Sequence, residues 1–126
     1  MKQLLIRCLA IALAGSVGSM ARYVVGLLFG QLNIRFPIGT LFINITGSMF
    51  LGWFFAHIAA HPVSATTRLA IGVGFVGAYT TFSTYMYESY RLFYDGAILE
   101  GASYLFGSLL LGIVAVAMGV WLARWV

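Results

Sequence analysis

GVGFVGAYTTFSTYMYE, residues Gly72 to Glu88, is the stretch on which the fold turns. Leu69, Ala70 and Ile71 lead into it as the start of a membrane helix would. Gly72, Gly74 and Gly77 then follow, with Thr80, Thr81, Ser83 and Thr84 around a single Phe82. Glycine costs about 1 kcal/mol against alanine inside a helix, and Ser and Thr hydroxyls bond backbone groups in competition with the helical ladder. In hydrocarbon an unwound turn is tolerated only where protein buries it or where it lines a wet cavity. A break near the membrane midplane is therefore a candidate ion site, since freed carbonyls suit a cation and a fresh helix start suits an anion. The alternative is a glycine-rich helix packed closely on its neighbours, and this stretch alone leaves both readings open.

Outward from it, the chain is 62% hydrophobic and 8% charged over 126 residues, with a mean hydropathy of +0.99. Too little polar surface exists to coat a soluble domain, which makes this an all-α membrane protein. A span needs about 20 mostly apolar residues. Four spans are expected, at about 4–29, 37–58, 69–90 and 99–123, forming one integral membrane domain over 1–126 with the third helix broken. Four helices leave little room for a pore within one copy, so transport would call for an oligomer. The net charge of +4 is spread singly along the chain, and no basic patch for nucleic acid exists. The beginning, MKQLLIRCLAIALAGS, imitates a signal peptide, but Arg7 interrupts its apolar core, so it reads as a retained first span. Cys8 reads as a small packing residue.

Loops facing the cytoplasm carry an excess of Lys and Arg. The side shared by the termini collects Lys2, Arg7, Arg68 and Arg124, and the other collects Arg35 and Arg91. This bias is weak enough to permit insertion in both orientations, and an ordinary single orientation with the termini inside is the alternative.

The polar residues inside the spans carry the functional reading. Arg22 lies deep in the first, where an arginine costs at least about 2.5 kcal/mol unless it finds a partner, water or the interface. It serves an anion's vestibule or snorkels to the interface. Gly26 and Gly30 follow at GxxxG spacing, suited to close helix approach. Pro37 opens the second span, a position where its missing N–H has no helical partner. Thr40, Asn44, Gly47 and Ser48 share one face of that helix. A membrane asparagine clamps two helices or offers its amide to an anion. In the fourth span Tyr104 and Ser108 stack one turn apart, and Ser108 and Gly112 form another small-residue pair. His57 and His61, four residues apart, lack any Cys, Asp or Glu nearby and read as interfacial rather than metal-binding. Glu88, Asp95 and Glu100 are the only carboxylates, all at or beyond the end of the third span. A proton-coupled exporter of organic cations needs an acid embedded in a span. No nucleophile with a base and no phosphate loop is present, so no enzyme is expected.

Four motifs stand in order: GSVGSMARY at Gly15 to Tyr23, PIGTLFINITG at Pro37 to Gly47, GFVGAYTTFSTY followed by Glu88, and the Tyr104 and Ser108 pair. On these the chain resembles the Fluc/CrcB family of fluoride channels over nearly its whole length. The resemblance implies an antiparallel, dual-topology homodimer in the bacterial inner membrane, with two pores for passive fluoride export that protect the cell from fluoride toxicity. It implies a structural sodium ion on the dimer axis, held by the backbone carbonyls of Gly77 and Thr80 from both copies. The pore aromatics fall on Phe82 and Tyr85, the pore asparagine on Asn44, and the hydroxyl track on Ser83, Thr84, Tyr104 and Ser108. Thr40 is a further pore candidate, and Arg22 falls in the vestibule. Two positions depart from the family pattern: Tyr85 replaces the usual phenylalanine, and Gly112 replaces a usual serine. The rival functions are a small proton-coupled multidrug-type exporter and a membrane subunit with no transport of its own.

Overall fold

A computed structural model describes residues 1–125; Val126, the last residue of the expected domain, lies outside the described residues. Every regular element among the described residues is helical. They are α1 (Lys2–Gly30), α2 (Ile38–Ala60), α3 (Ala65–Leu69), a π-helical stretch (Ala70–Val76), α4 (Gly77–Tyr79), α5 (Phe82–Tyr94), α6 (Ile98–Leu122) and a closing 3₁₀ turn (Ala123–Trp125). Three helical stretches, Lys2–Gly30, Ile38–Ala60 and Ile98–Trp125, are long and apolar enough to cross a membrane. The expected span at 69–90 is not a single helix of that kind. It is divided among α3, the π-helical stretch, α4 and α5.

Local sequence explains the divisions. Gly72 and Gly74 let the chain widen, so that the Gly77 N–H reaches back five residues to the Gly72 carbonyl, the hydrogen bond that defines a π-turn. Thr80 and Thr81 are then extended, at φ −80°, ψ 161° and φ −148°, ψ 122°. α5 starts directly after, capped by the Thr81 hydroxyl, which accepts from the Thr84 N–H at 3.2 Å. At its far end Gly96 takes φ +76°, and the bonds Ala97 N–H to Leu92 and Gly96 N–H to Phe93 complete a Schellman stop.

Glycines set the helix contacts. α1 packs along the π-helical stretch and α4, while α2 and α5 both pack on α6. A Cβ at Gly18 would run into the Phe75 carbonyl, and one at Gly74 would lie 2.8 Å from the Ile11 carbonyl. α2 meets α6 where Gly119 faces the Met49 carbonyl and Gly52 faces that of Val116. The small-residue pairs picked out by spacing do not make these contacts. A Cβ at Gly26, Gly30, Gly107 or Gly112 would meet nothing within 4 Å; Gly26 and Gly30 border one cavity and Gly112 another. Large apolar side chains such as Leu13 on α1 and Leu110 and Ile113 on α6 are exposed, as on a surface that meets lipid or another membrane helix. Along α2, the Trp53, His57 and His61 rings form a stacked column, with centroids 5.2 and 4.6 Å apart.

Candidate functional site: the extended pair Thr80–Thr81

Two extended residues inside an apolar bundle carry four backbone polar groups that a helix would have satisfied. All four have partners. The Thr80 N–H donates to the Val76 carbonyl at 2.9 Å. The Thr81 N–H donates to Asn44 Oδ1, and Asn44 Nδ2 donates to the Thr81 carbonyl, each at 2.9 Å. Finally, Arg22 Nη1 donates to the Thr80 carbonyl at 3.3 Å. α1 and α2 thus each supply one polar side chain to hold the break open.

Asn44 takes the clamping role read from its sequence context. Its Oδ1 and one Nδ2 hydrogen clamp Thr81, and the amide keeps a second N–H, because a primary amide has two donors. It lines a cavity of about 360 Å³ with Gly47, Ser48, Thr81, Phe82, Tyr85 and Ser108. Ser108 Oγ is buried with no hydrogen-bond partner among the described residues. A second cavity, of about 390 Å³, lies against the other side of Thr81. Arg22, Thr40, Thr84 and Glu88 line it.

The expected pore residues therefore divide. Asn44, Phe82, Tyr85 and Ser108 border the first cavity, and Arg22, Thr40 and Thr84 border the second. Phe82 is 72% exposed, and Ser83 and Thr84 are exposed with it on the outer face of the α5 start. Tyr104 is 1% exposed and borders neither cavity. Its hydroxyl donates to Glu88 Oε2 at 2.7 Å, and Thr40 Oγ1 donates to Glu88 Oε1 at 2.9 Å. Tyr104 and Ser108, one turn apart in sequence, thus serve different places. The Tyr85 hydroxyl donates to the Leu105 carbonyl on α6. Its ring stands edge to face with Tyr104, centroids 5.2 Å apart.

Two residues matter more here than their sequence context indicated. Thr81 caps α5 and is the anchor for Asn44. Glu88 gathers Thr40 and Tyr104 from two other helices. The signal was present for both: Thr81 opens a Thr-x-x-Thr cap, and Glu88 lies on the Thr81, Thr84, Glu88 face of α5.

Among the described residues no group of three or more His, Cys, Asp or Glu side chains is placed to hold a metal. Backbone oxygen is another matter. In a continued helix Thr81 N–H would close on the Gly77 carbonyl and Thr84 N–H on that of Thr80. Asn44 and the Thr81 hydroxyl take those donors instead. The Gly77 and Thr80 carbonyls are thereby released from the ladder, and carbonyl oxygen is the ligand type that hard cations prefer.

A helical chain with three stretches long and apolar enough to cross a membrane, and an extended polar pair beside two cavities, defines a multi-pass membrane protein. Residues 9–120 match the family model described as CrcB-like protein, Camphor Resistance (CrcB), and the chain belongs to that family. It is 42% identical over 120 residues to the fluoride-specific ion channel FluC of Trichormus variabilis, covering 92% of this chain and 87% of that one. It is 45% identical over 112 residues to FluC of Acidobacterium capsulatum, covering 87% and 90%. FluC of Nitrobacter winogradskyi is 41% identical over 118 residues, covering 92% and 94%.

Proposed function

We propose that this protein is a passive, fluoride-selective channel of the bacterial inner membrane, working as an antiparallel, dual-topology homodimer in which each copy contributes four membrane passes. The third pass is α3 to α5, broken near the midplane at Thr80–Thr81. The single observation that carries the reading is the Asn44 clamp, which fixes an extended polar turn between two cavities and still leaves one amide N–H for an anion. Three relatives that are named fluoride-specific ion channels, each 41% to 45% identical to this chain, supply the anion.

Fluoride is small and strongly hydrated, so a path for it must replace lost water with hydrogen-bond donors while holding the ion weakly enough to release it. Asn44 Nδ2 and Ser108 Oγ supply donors in the first cavity. The Phe82 and Tyr85 rings border the same space, and aromatic edges are the positive end of the ring quadrupole. Ser83 and Thr84 extend the hydroxyls toward the Arg22 vestibule, which Thr40 also borders with its own proton given to Glu88. The outward faces of Phe82, Ser83 and Thr84 become pore walls once a second copy covers them, which is why one copy shows two separate cavities. A membrane potential negative inside supplies about 2.3 kcal/mol per charge per 100 mV, enough to drive the anion outward without protons or ATP.

Sodium fits the carbonyls of Gly77 and Thr80. Both are released from the helical ladder, and two copies would offer four oxygens to an ion on the dimer axis. Sodium bound there would supply fixed positive charge that ties the two copies together.

The test is growth. A bacterial strain deprived of its own fluoride export should regain growth in millimolar fluoride when it expresses this chain. Failure to restore growth, with the protein present in the membrane as a dimer, would sink the proposal in favour of a non-transporting subunit.

A further inference from the structure

The Thr80 carbonyl is asked to serve two cations. In a single copy its partner is the Arg22 guanidinium, at 3.3 Å the longest of the four bonds that satisfy the break; the other three are 2.9 Å. The sodium reading above assigns the same oxygen to a metal ion. A carbonyl has two lone pairs, but two positive charges on one oxygen stand within a few ångströms of each other and repel. The guanidinium also has somewhere else to go. Arg22 is half-buried and borders the cavity of about 390 Å³ that contains Glu88, Thr40 and Thr84. Leaving Thr80 would place its charge among the oxygens of that space.

We propose that Arg22 and sodium are alternative partners of the Thr80 carbonyl, so that sodium binding releases the Arg22 guanidinium into the vestibule and Arg22 in turn weakens sodium binding. Arg22 thereby links the cation site to the charge that an entering anion meets. The break never leaves this carbonyl bare in hydrocarbon: before assembly the arginine satisfies it, and afterwards the ion does. Linkage requires the effect to be reciprocal. The inference rests on the sodium reading.

The experiment is a sodium titration of thermal unfolding, with choline as the replacing cation at constant ionic strength. Purified parent, Arg22→Gln and Arg22→Lys are followed by tryptophan fluorescence. The expected result is a sodium-dependent rise in melting temperature whose midpoint falls at least tenfold in Arg22→Gln and stays within threefold of the parent in Arg22→Lys. If Arg22→Gln fails to fold, Arg22→Met, which keeps the aliphatic stem without the charge, takes its place. In the parent itself, sodium should also shift one arginine side-chain Nε–Hε resonance in an NMR spectrum. An unchanged or raised midpoint in the neutral variants, or no arginine shift in a parent that does respond to sodium, overturns the competition while leaving the sodium reading intact. No sodium response in the parent or in any variant overturns the sodium reading and the competition together.

Discussion

Asn44 holds Thr81 by both ends of its amide, accepting from the Thr81 N–H and donating to the Thr81 carbonyl, each at 2.9 Å. The pairing imitates a strand's hydrogen bonds with one side chain. It explains how an extended residue survives in a helical membrane protein, and it makes the break a rigid feature rather than a loose one.

Asn44→Ala would orphan both groups of a buried residue, since Thr81 is 8% exposed. A buried polar group left without a partner costs about 1 to 3 kcal/mol. Asn44→Ala is expected to lower the melting temperature and to reduce fluoride flux at least tenfold. Asn44→Asp sets a carboxylate oxygen against the Thr81 carbonyl in an apolar bundle, so it should be at least as destabilised as alanine at neutral pH. Thermal unfolding alongside liposome flux checks the order.

Tyr85→Phe should barely change transport. The hydroxyl is already committed to the Leu105 carbonyl, so its loss removes a tie between α5 and α6 rather than a pore donor. Expected effects are about 0.5 to 1.5 kcal/mol of stability and a fluoride flux within threefold of the parent. A larger gain in flux would show that the hydroxyl does obstruct the path.

Glu88 and Tyr104 should be energetically coupled. Removing the phenolic donor leaves a carboxylate short of a partner, whereas Glu88→Gln lowers the demand for that donor. A double-mutant cycle of Tyr104→Phe and Glu88→Gln, measured by unfolding, should return a coupling of about 1 kcal/mol or more, as contacting residues of one network do. Additive effects would mean that the 2.7 Å bond contributes little.

Two glycine substitutions should separate cleanly. Gly112→Ser puts a side chain where a Cβ meets nothing within 4 Å, while Gly119→Val drives one into the Met49 backbone. The first should change stability by less than about 0.5 kcal/mol and lengthen the hydroxyl track. The second should cost about 1 to 3 kcal/mol through overpacking between α2 and α6. Denaturation of the two variants side by side checks this.

The helices and the turn chemistry were legible because they depend on near neighbours. Pro37 marked the start of α2 to within a residue, and the crowding of Gly72, Gly74 and Gly77 before four hydroxyls located the irregular stretch. The bracing of the site depends on distant ones. Arg22 and Thr80 are 58 residues apart, and Asn44 and Thr81 are 37 apart. Spacing within one helix cannot reveal such pairs. Gly26 and Gly30 show the same limit: GxxxG spacing identifies a face that can be approached closely, but not which neighbour uses it. Gly119 and Gly52, which do meet a neighbouring backbone, stood out less because their partners lie on another helix. The Tyr85 hydroxyl finds its acceptor 20 residues away, at the Leu105 carbonyl on α6.

Selective, uncoupled movement of fluoride would be seen as anion efflux from liposomes that contain only the purified protein. Vesicles loaded with fluoride or chloride would be discharged under a potassium-set potential, with and without an imposed pH gradient. Rapid fluoride efflux, negligible chloride efflux and no dependence on the pH gradient are expected. Comparable efflux of chloride would contradict fluoride selectivity, proton-dependent flux lost in Glu88→Gln would point to a coupled exporter, and no efflux from folded dimer would contradict the channel altogether.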